Sequence, residues 1–242
     1  MEDVLKRHKD IWNKKKILRI IYSDWYKKII SDLRQGNGLT VELGSGSGNF
    51  KEFRPDVISS DVDPCEWLDM CFDAHSMPFK EGSVSNVVMI DVFHHLSDPV
   101  KFLHECERVL KKGGRIIMLE PFPSLFSLII YRLFHPEPFL MNIDYFNKKE
   151  KNKEKNPWNS NQAIPYLIFF KQLNEWKKEF QQKLRLIKRQ KLSFILYPLS
   201  GGFENKSLIP DFLVPVFMFI EKMLYPFRRI LAFRCYIVVE RK

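Results

Sequence analysis

Residues 41–50 read Val41-Glu42-Leu43-Gly44-Ser45-Gly46-Ser47-Gly48-Asn49-Phe50, three alternating glycines directly behind a short apolar run. Leu39 to Leu43 has the composition of a strand, and the glycines mark its turn into a following helix. Glycine at such a turn accepts positive φ and lets the backbone approach a ligand that a Cβ would hold off. The dinucleotide fingerprint needs its third glycine at position 49, where this chain has Asn49. No Gly-Lys-Ser/Thr follows, so the bend is not a phosphate cradle either.

Working outward, the same rhythm repeats. Asp56 to Asp61 is a second strand, Met70 to Phe72 a short third, Asn86 to Ile90 a fourth and Arg115 to Leu119 a fifth. Pro99 to Leu110 is amphipathic; Ser97-Asp98 offers an N-cap, Pro99 suits the first turn, and Gly113-Gly114 ends the segment. Val87-Val88-Met89-Ile90 and Ile116-Ile117-Met118-Leu119 are continuous apolar runs, as in strands covered on both faces. Strands alternating with helices predict βαβ units and a mainly parallel sheet. Upstream, Ile17, Leu18, Ile20, Ile21, Trp25, Ile29, Ile30 and Leu33 recur near a 3.6 period before Gly36-Asn37-Gly38, giving a helical cap over 1–36. Downstream, Phe122 to Phe134 reads as an apolar helix, Phe146 to Asn156 as a Lys/Asn-rich loop or disordered stretch and Asn161 to Leu184 as a helix. Leu184 to Leu196 is a sixth strand, Asp211 to Arg229 a helix broken early by Pro215, and Ala232 to Glu240 a last strand.

The 242 residues suffice for one substantial core, and 45% hydrophobic with 28% charged residues excludes a disordered chain. Cys65, Cys71, Cys106 and Cys235 form no C-x-x-C pair, which points to reduced thiols rather than a disulfide framework or zinc site. The basic start of the chain has no apolar h-region, and the longest uncharged run, Asn156 to Phe170, is short and half polar; a cytoplasmic protein is expected. The net charge of +10 is unevenly placed. Residues 1–36 carry ten bases and five acids, 37–121 eight bases and fourteen acids, and 122–242 twenty-one bases and ten acids. An acidic centre lies between basic flanks.

The E-x-G-x-G-x-G pattern of Glu42, Gly44, Gly46 and Gly48 resembles that of class I S-adenosylmethionine (SAM) methyltransferases, most closely the small-molecule branch called type 11. Further segments in matching order are Ser60-Asp61-Val62-Asp63-Pro64, Phe72-Asp73-Ala74-His75-Ser76-Met77-Pro78-Phe79, Ile90-Asp91-Val92-Phe93-His94-His95-Leu96 and Val109 to Gly114. The resemblance spans 37–121 and, more loosely, the last two strands. It implies an α/β, Rossmann-like sheet of seven mainly parallel strands with helices on both faces and an antiparallel last strand. A SAM-binding core over 37–121 would lie within a domain over 37–242, with acceptor-side insertions at 122–184 and 197–231. It also implies that Asp61, with Val62, takes the ribose diol, with Asp63 as the alternative acid, and that Asp73, Ala74 and His75 take the adenine. Asp91 and Val92 would take the methionine end, while Gly44, Ser45, Gly46 and Gly48 form the bend. Glu42 would order that bend and add negative potential near the sulfonium. Carboxylates suit a ligand with a diol, an amine and a cation, whereas phosphates favour bases or bare helix N-termini.

Methyl transfer needs orientation and exclusion of water, with a general base where the acceptor loses a proton. Base candidates are His94, His95, His135, Glu120 and Tyr131, with His94 placed first because it follows strand four at the ligand-binding edge. Both histidines also fit as strand-end residues satisfying backbone groups. Tyr22, Trp25 and Tyr26 fit either a core stripe or a lid, and Tyr22 is carried as a cofactor contact. No metal is expected. Phe122, Leu125, Phe126, Leu128, Ile129, Ile130, Leu133, Phe134, Phe139 and Leu140 form one apolar cluster, and Phe212, Leu213, Val216, Phe217, Phe219 and Ile220 form another, beside Lys222, Arg228 and Arg229. Such faces fit either sheet-covering helices or a small-molecule or lipid-linked acceptor met at an anionic membrane surface. RNA is the competing acceptor for a basic chain, although no RNA-binding module is recognisable. A non-catalytic SAM-binding protein is a third reading.

Overall fold

The computed structural model describes residues 2–134, 137–147 and 160–242. Two helices open the chain, α1 (Glu2–Lys14) and α2 (Lys16–Asp32), and the sheet begins with β1 (Leu39–Leu43), β2 (Ile58–Asp61), β3 (Met70–Cys71) and β4 (Val84–Ile90). Then come α3 (Pro99–Val109), β5 (Leu110–Pro121), α4 (Leu125–Phe134), α5 (Ile164–Tyr166) and α6 (Leu173–Phe180). The chain finishes with β6 (Leu184–Leu192), α7 (Leu196–Ser200), α8 (Val214–Met223), α9 (Arg228–Leu231) and β7 (Arg234–Arg241). The strand order is β3-β2-β1-β4-β5-β7-β6. β1 to β5 run parallel, and β7 lies antiparallel between β5 and β6.

Both sheet faces are buried, and the side chains divide by the two-residue period of a strand. Val87, Met89, Ile116, Met118, Ile237 and Val239 face one layer with Phe102, Leu103, Ile168 and Phe180. Val88, Ile117, Leu119, Tyr236 and Val238 face the other, where Ile17, Ile21, Trp25 and Ile29 of α2 pack with Trp12 of α1. Asp32 ends α2 by pairing with Lys188 of β6 and accepting from the Tyr236 hydroxyl at 2.9 Å. The N-terminal helices thus form one wall of the core.

Several boundaries differ from the sequence expectation for local reasons. β5 begins at Leu110 because the Gly113-Gly114 turn is a bulge inside the strand. Between the pairs Val84↔Leu110 and Asn86↔Arg115, β4 advances two residues while β5 advances five. The expected helix over Asn161–Leu184 is two helices joined by a π turn, Leu167–Lys171, which sets Phe169 against Phe93 at 5.4 Å. β6 stops at Leu192: Ser193 turns at φ +60, and Glu221 accepts the N–H groups of Phe194, Ile195 and Leu196. Pro215 sits in the first turn of α8, where its missing N–H costs nothing, and the helix ends only before Tyr225-Pro226-Phe227. The Lys/Asn-rich stretch from Phe146 to Asn156 falls, after Asn147, outside the described residues.

The N-cap of α3 is as expected: Asp98 Oδ1 accepts from Val100 N at 3.1 Å and Lys101 N at 2.9 Å. Asp98→Ala should cost about 1 kcal/mol. The midpoint of thermal unfolding should fall by about 2–4 °C. An unchanged midpoint would show that α3 needs no cap.

Candidate functional site

At the carboxyl ends of β1, β2 and β4 the chain leaves the sheet through three turns that surround a cavity of ≈ 420 Å³. Gly44, Gly46 and Gly48 take φ of +60°, +49° and +75°. Gly44 is sterically obligatory as well, since a Cβ there would sit 2.3 Å from Val92 Cγ2. Main-chain bonds fix the bend. Ser45 N donates to Ser60 O at 2.9 Å, Gly46 N to Asp61 Oδ2 at 3.1 Å, and Trp67 Nε1 to Gly46 O at 2.9 Å. Asp61 Oδ1 also accepts from Val62 N at 2.8 Å, so the carboxylate is held at the strand tip by the loop it faces.

Of the sequence-derived residues, Gly44, Gly46, Asp61, Val62, Asp73, Ala74, His75, Asp91, Val92 and His95 line this cavity. Asp73 Oδ1 accepts from His75 N at 2.8 Å and His75 Nδ1 at 2.7 Å, and His75 Nε2 accepts from Asp98 N at 3.3 Å. Nδ1 is thus the donor of that ring and Nε2 the acceptor. Ser45 and Gly48 support the bend from outside the lining, and Gly48 packs towards Trp67.

Four residues depart from the sequence reading in placement, charge or partner. Glu42 is buried and burial raises its pKa to about 8, so it stays largely protonated near neutrality and adds little negative potential. Its main-chain oxygen, accepting from the Ser45 and Ser60 hydroxyls, supports the bend instead, while Glu42 Oε2 has no hydrogen-bond partner among the described residues. Tyr22 is buried between Trp12, Trp25, Tyr26 and Phe203 and does not line the cavity. The roof comes from α1 through Leu5, a contribution the sequence reading did not separate from α2. Asp91 turns at φ +57°, an uncommon conformation for a non-glycine residue, and pairs with the buried guanidinium of Arg234. Burial pushes the Asp91 pKa up while Arg234 opposes it, and Arg234 lies over the Tyr197 ring at 4.3 Å. The signal for Arg234 was present, a lone charge in the run Ala232-Phe233-Arg234-Cys235-Tyr236, and it went unread.

His94 is the fourth. It is buried and off the cavity, with Nδ1 donating to Glu120 Oε2 at 2.7 Å. Glu120, fully buried, also accepts from Val92 N at 3.0 Å and Phe93 N at 2.8 Å, which commits it to holding this turn. His94 Nε2 faces Glu137 at 3.6 Å, and Gln162 holds that carboxylate at 3.0 Å. Burial alone would lower the His94 pKa, but the Glu120 and Glu137 carboxylates outweigh it and raise it to about 9. A histidine already protonated cannot accept a proton, so His95 replaces it as the base candidate. Burial and then the His94 charge lower the His95 pKa, leaving a neutral imidazole in the cavity wall. Tyr131 is buried against Phe139 and Phe233, and burial raises its pKa, which disfavours a proton-accepting role. His135 lies outside the described residues.

Asp91, His94 and Glu120, and likewise His94, His95 and Glu137, bring potential metal-ligand atoms within 4.8 Å of one another. In both groups the cations are already supplied, by Arg234 to Asp91 and by protonated His94 to Glu120 and Glu137. Three carboxylates, Asp91, Glu120 and Glu137, thus share two cations, Arg234 and protonated His94.

The His94 arrangement has a pH signature. Its folded pKa lies above the ordinary value near 6.5, so its contribution is full below about pH 6.5 and is lost as pH rises through about 9. His94→Gln should cost a few kcal/mol at the acid end of that window and much less at the alkaline end. Urea unfolding at both ends checks it, and a pH-independent difference between the two proteins would refute the assignment.

Comparison with known proteins agrees with this geometry. Residues 41–118 match the family model of a methyltransferase domain. The demethylmenaquinone methyltransferase of Thermus thermophilus is 30% identical over 124 residues, covering 41% of this chain and 56% of that protein. That of Thermotoga maritima is 41% identical over 51 residues, covering 21% and 22%. The chain spans between 14% and 56% of the length of the curated relatives it matches. A SAM-dependent methyltransferase from Archaeoglobus fulgidus superposes with a TM-score of 0.54 at 16% identity, covering 93% of this chain and 94% of that one. Residues 41–118 thus match a methyltransferase domain, and the chain shares its fold with the SAM-dependent methyltransferase from Archaeoglobus fulgidus.

Proposed function

We propose that the protein binds SAM in the ≈ 420 Å³ cavity and transfers its methyl group to a small amphiphilic or lipid-linked acceptor. The observation that carries the reading is the lining. Three carboxylates, Asp61, Asp73 and Asp91, converge beside a bend with no room for a Cβ, and no lysine or arginine is among the described lining residues. That donor set fits a diol, an exocyclic amine and a cation, and it does not fit a pyrophosphate. SAM, when bound, supplies an activated sulfonium methyl open to in-line attack.

This chain's own residues orient and shield. Asp61, already fixed by Gly46 N and Val62 N, would take the ribose hydroxyls. Asp73 and Ala74 would take the adenine, and the turn through Asp91 and Val92 the amino-acid end. Leu5 excludes water from above and Leu96 contributes to the apolar wall. His95 would accept the acceptor's proton, and His94 acts as a positioning residue that fixes the neighbouring ring, the two centroids being 4.2 Å apart. An apolar acceptor is supported by the aromatic insertion that Asn161 ties to the site, its N–H donating to His94 O at 3.0 Å. The matches to enzymes named for demethylmenaquinone lend the same support.

Calorimetry should show saturable binding of SAM and of S-adenosylhomocysteine and no binding of NAD. Asp61→Ala should weaken the former by about tenfold or more, as expected for losing charged hydrogen bonds of about 1.5–3 kcal/mol. Uptake of NAD but not SAM would overturn the reading. His95→Gln should slow turnover by about 10²–10⁴-fold and remove the acid limb of the pH–rate profile, with S-adenosylhomocysteine affinity retained. An unaltered profile would remove His95 from proton transfer.

A further inference from the structure

Among the described residues, the helices that follow β5 and precede β7 carry exposed apolar stripes. On α4, Leu125, Ile129 and Leu133 recur at four-residue spacing and are 50–68% exposed, so one whole helical stripe is unpacked. On α8, Val216, Phe219 and Met223 form a second stripe, 51–64% exposed. Tyr225, Phe227 and Ile230 continue it into α9, which in turn contacts α4. Leu208 and Phe212, 75% and 77% exposed, extend the apolar surface ahead of α8. Isolated exposed apolar residues are ordinary, but two exposed stripes connected through α9 mark an interaction surface.

Charge on this face is one-sided. Arg132, Lys222, Arg228 and Arg229 lie on or beside the stripes, and none forms a carboxylate pair among the described residues. Lys191, over the Phe122 ring at 4.5 Å, has its pKa lowered by burial and then by the charges of Arg229 and Arg228, so the three cations share one region. Of the acids in the same segments, Glu221 is turned inward onto the N–H groups of Phe194 to Leu196, leaving Asp211. A second copy docked through the same face would bring these cations together, and like charges oppose that contact. An anionic lipid surface meets both demands, apolar burial and neutralisation.

Topology links the face to the site. α4 begins four residues after Pro121, where β5 ends, and α9 leads into Arg234, the partner of Asp91 in the cavity wall. Among the described residues no helix is long and apolar enough to cross a membrane, so contact would be with one leaflet. We infer that α4, α8 and α9 form a peripheral docking face for an anionic membrane surface, set beside the cavity so that a lipid-borne acceptor is met there. The docking itself does not rest on the methyl-transfer reading; only the delivery of an acceptor does.

The test floats the full chain with phosphatidylcholine vesicles, with and without phosphatidylglycerol, at low and high salt. Binding should require the anionic lipid and should fall steeply with salt. Arg228→Glu with Arg229→Glu should reduce it by about tenfold or more. Phe219→Ser with Phe227→Ser should also reduce it, and because these side chains are exposed the fold should survive. Calorimetry with S-adenosylhomocysteine on the same samples reports the cavity separately. Absence of flotation on anionic vesicles at low salt would overturn the inference while leaving the cavity reading intact. Equal binding to neutral vesicles, or a dimer in sedimentation that the serine pair dissolves, would overturn it too, the latter in favour of self-association.

Discussion

Everything at the site depends on one close approach. β1 and β4 are paired neighbours, and both chains must leave the sheet at the same edge, one through Gly44 and the other through Asp91 and Val92. The two exits touch, and the space between Gly44 and the Val92 side chain is too small for a methyl group. A parallel pair therefore ends in a cleft rather than a closed layer, which is where open α/β sheets bind ligands. Asp61 on β2 then has the bend itself as its hydrogen-bond partner.

Behind the cleft, charges are buried in compensated sets. Glu120 holds two backbone N–H groups and an imidazole, Glu137 faces the other side of that imidazole, and Asp91 holds Arg234. Buried charges persist only when paired and hydrogen-bonded, and removing one member leaves the others exposed to the full desolvation cost. The consequence is rigidity where His95 stands. Burial first and the His94 charge second push the His95 pKa down, while the carboxylates raise that of His94, so the two adjacent histidines are shifted in opposite directions.

The sheet could be read from sequence because its strands are short apolar runs between turn residues, and β1 matched from Leu39 to Leu43. Asp61, Asp73 and Asp91 could be named because they stand in segments that resemble the methyltransferase pattern in order and spacing. What escaped depends on pairs distant in sequence. Arg234 is 143 positions from Asp91, and Glu137 meets His94 only because Asn161 and Gln162 fold the insertion back onto the site. The ranking of His94 over His95 could not be corrected from local sequence, since both follow the same strand and only burial against Glu120 separates them. Tyr22 misled for a related reason: its helical spacing fits a wall of the core, and the roof belongs to the preceding helix.

That roof is attached unlike the walls. α1 joins α2 through a single non-helical residue, Lys15, whose Nζ donates to Gly202 O and Asn205 O at 2.6 Å. Near it, Arg7 and His8 pair with Glu204 at 2.6 and 2.8 Å on the surface. Solvent-exposed ion pairs contribute about 0–1 kcal/mol each and weaken as salt rises. The first turns of α1, which bear Leu5, are thus held by surface ties of low cost to undo, whereas its last turn is anchored by buried Trp12 and α2 by aromatic packing. Ionic strength accordingly acts on the gate of the cavity before it acts on the cavity itself.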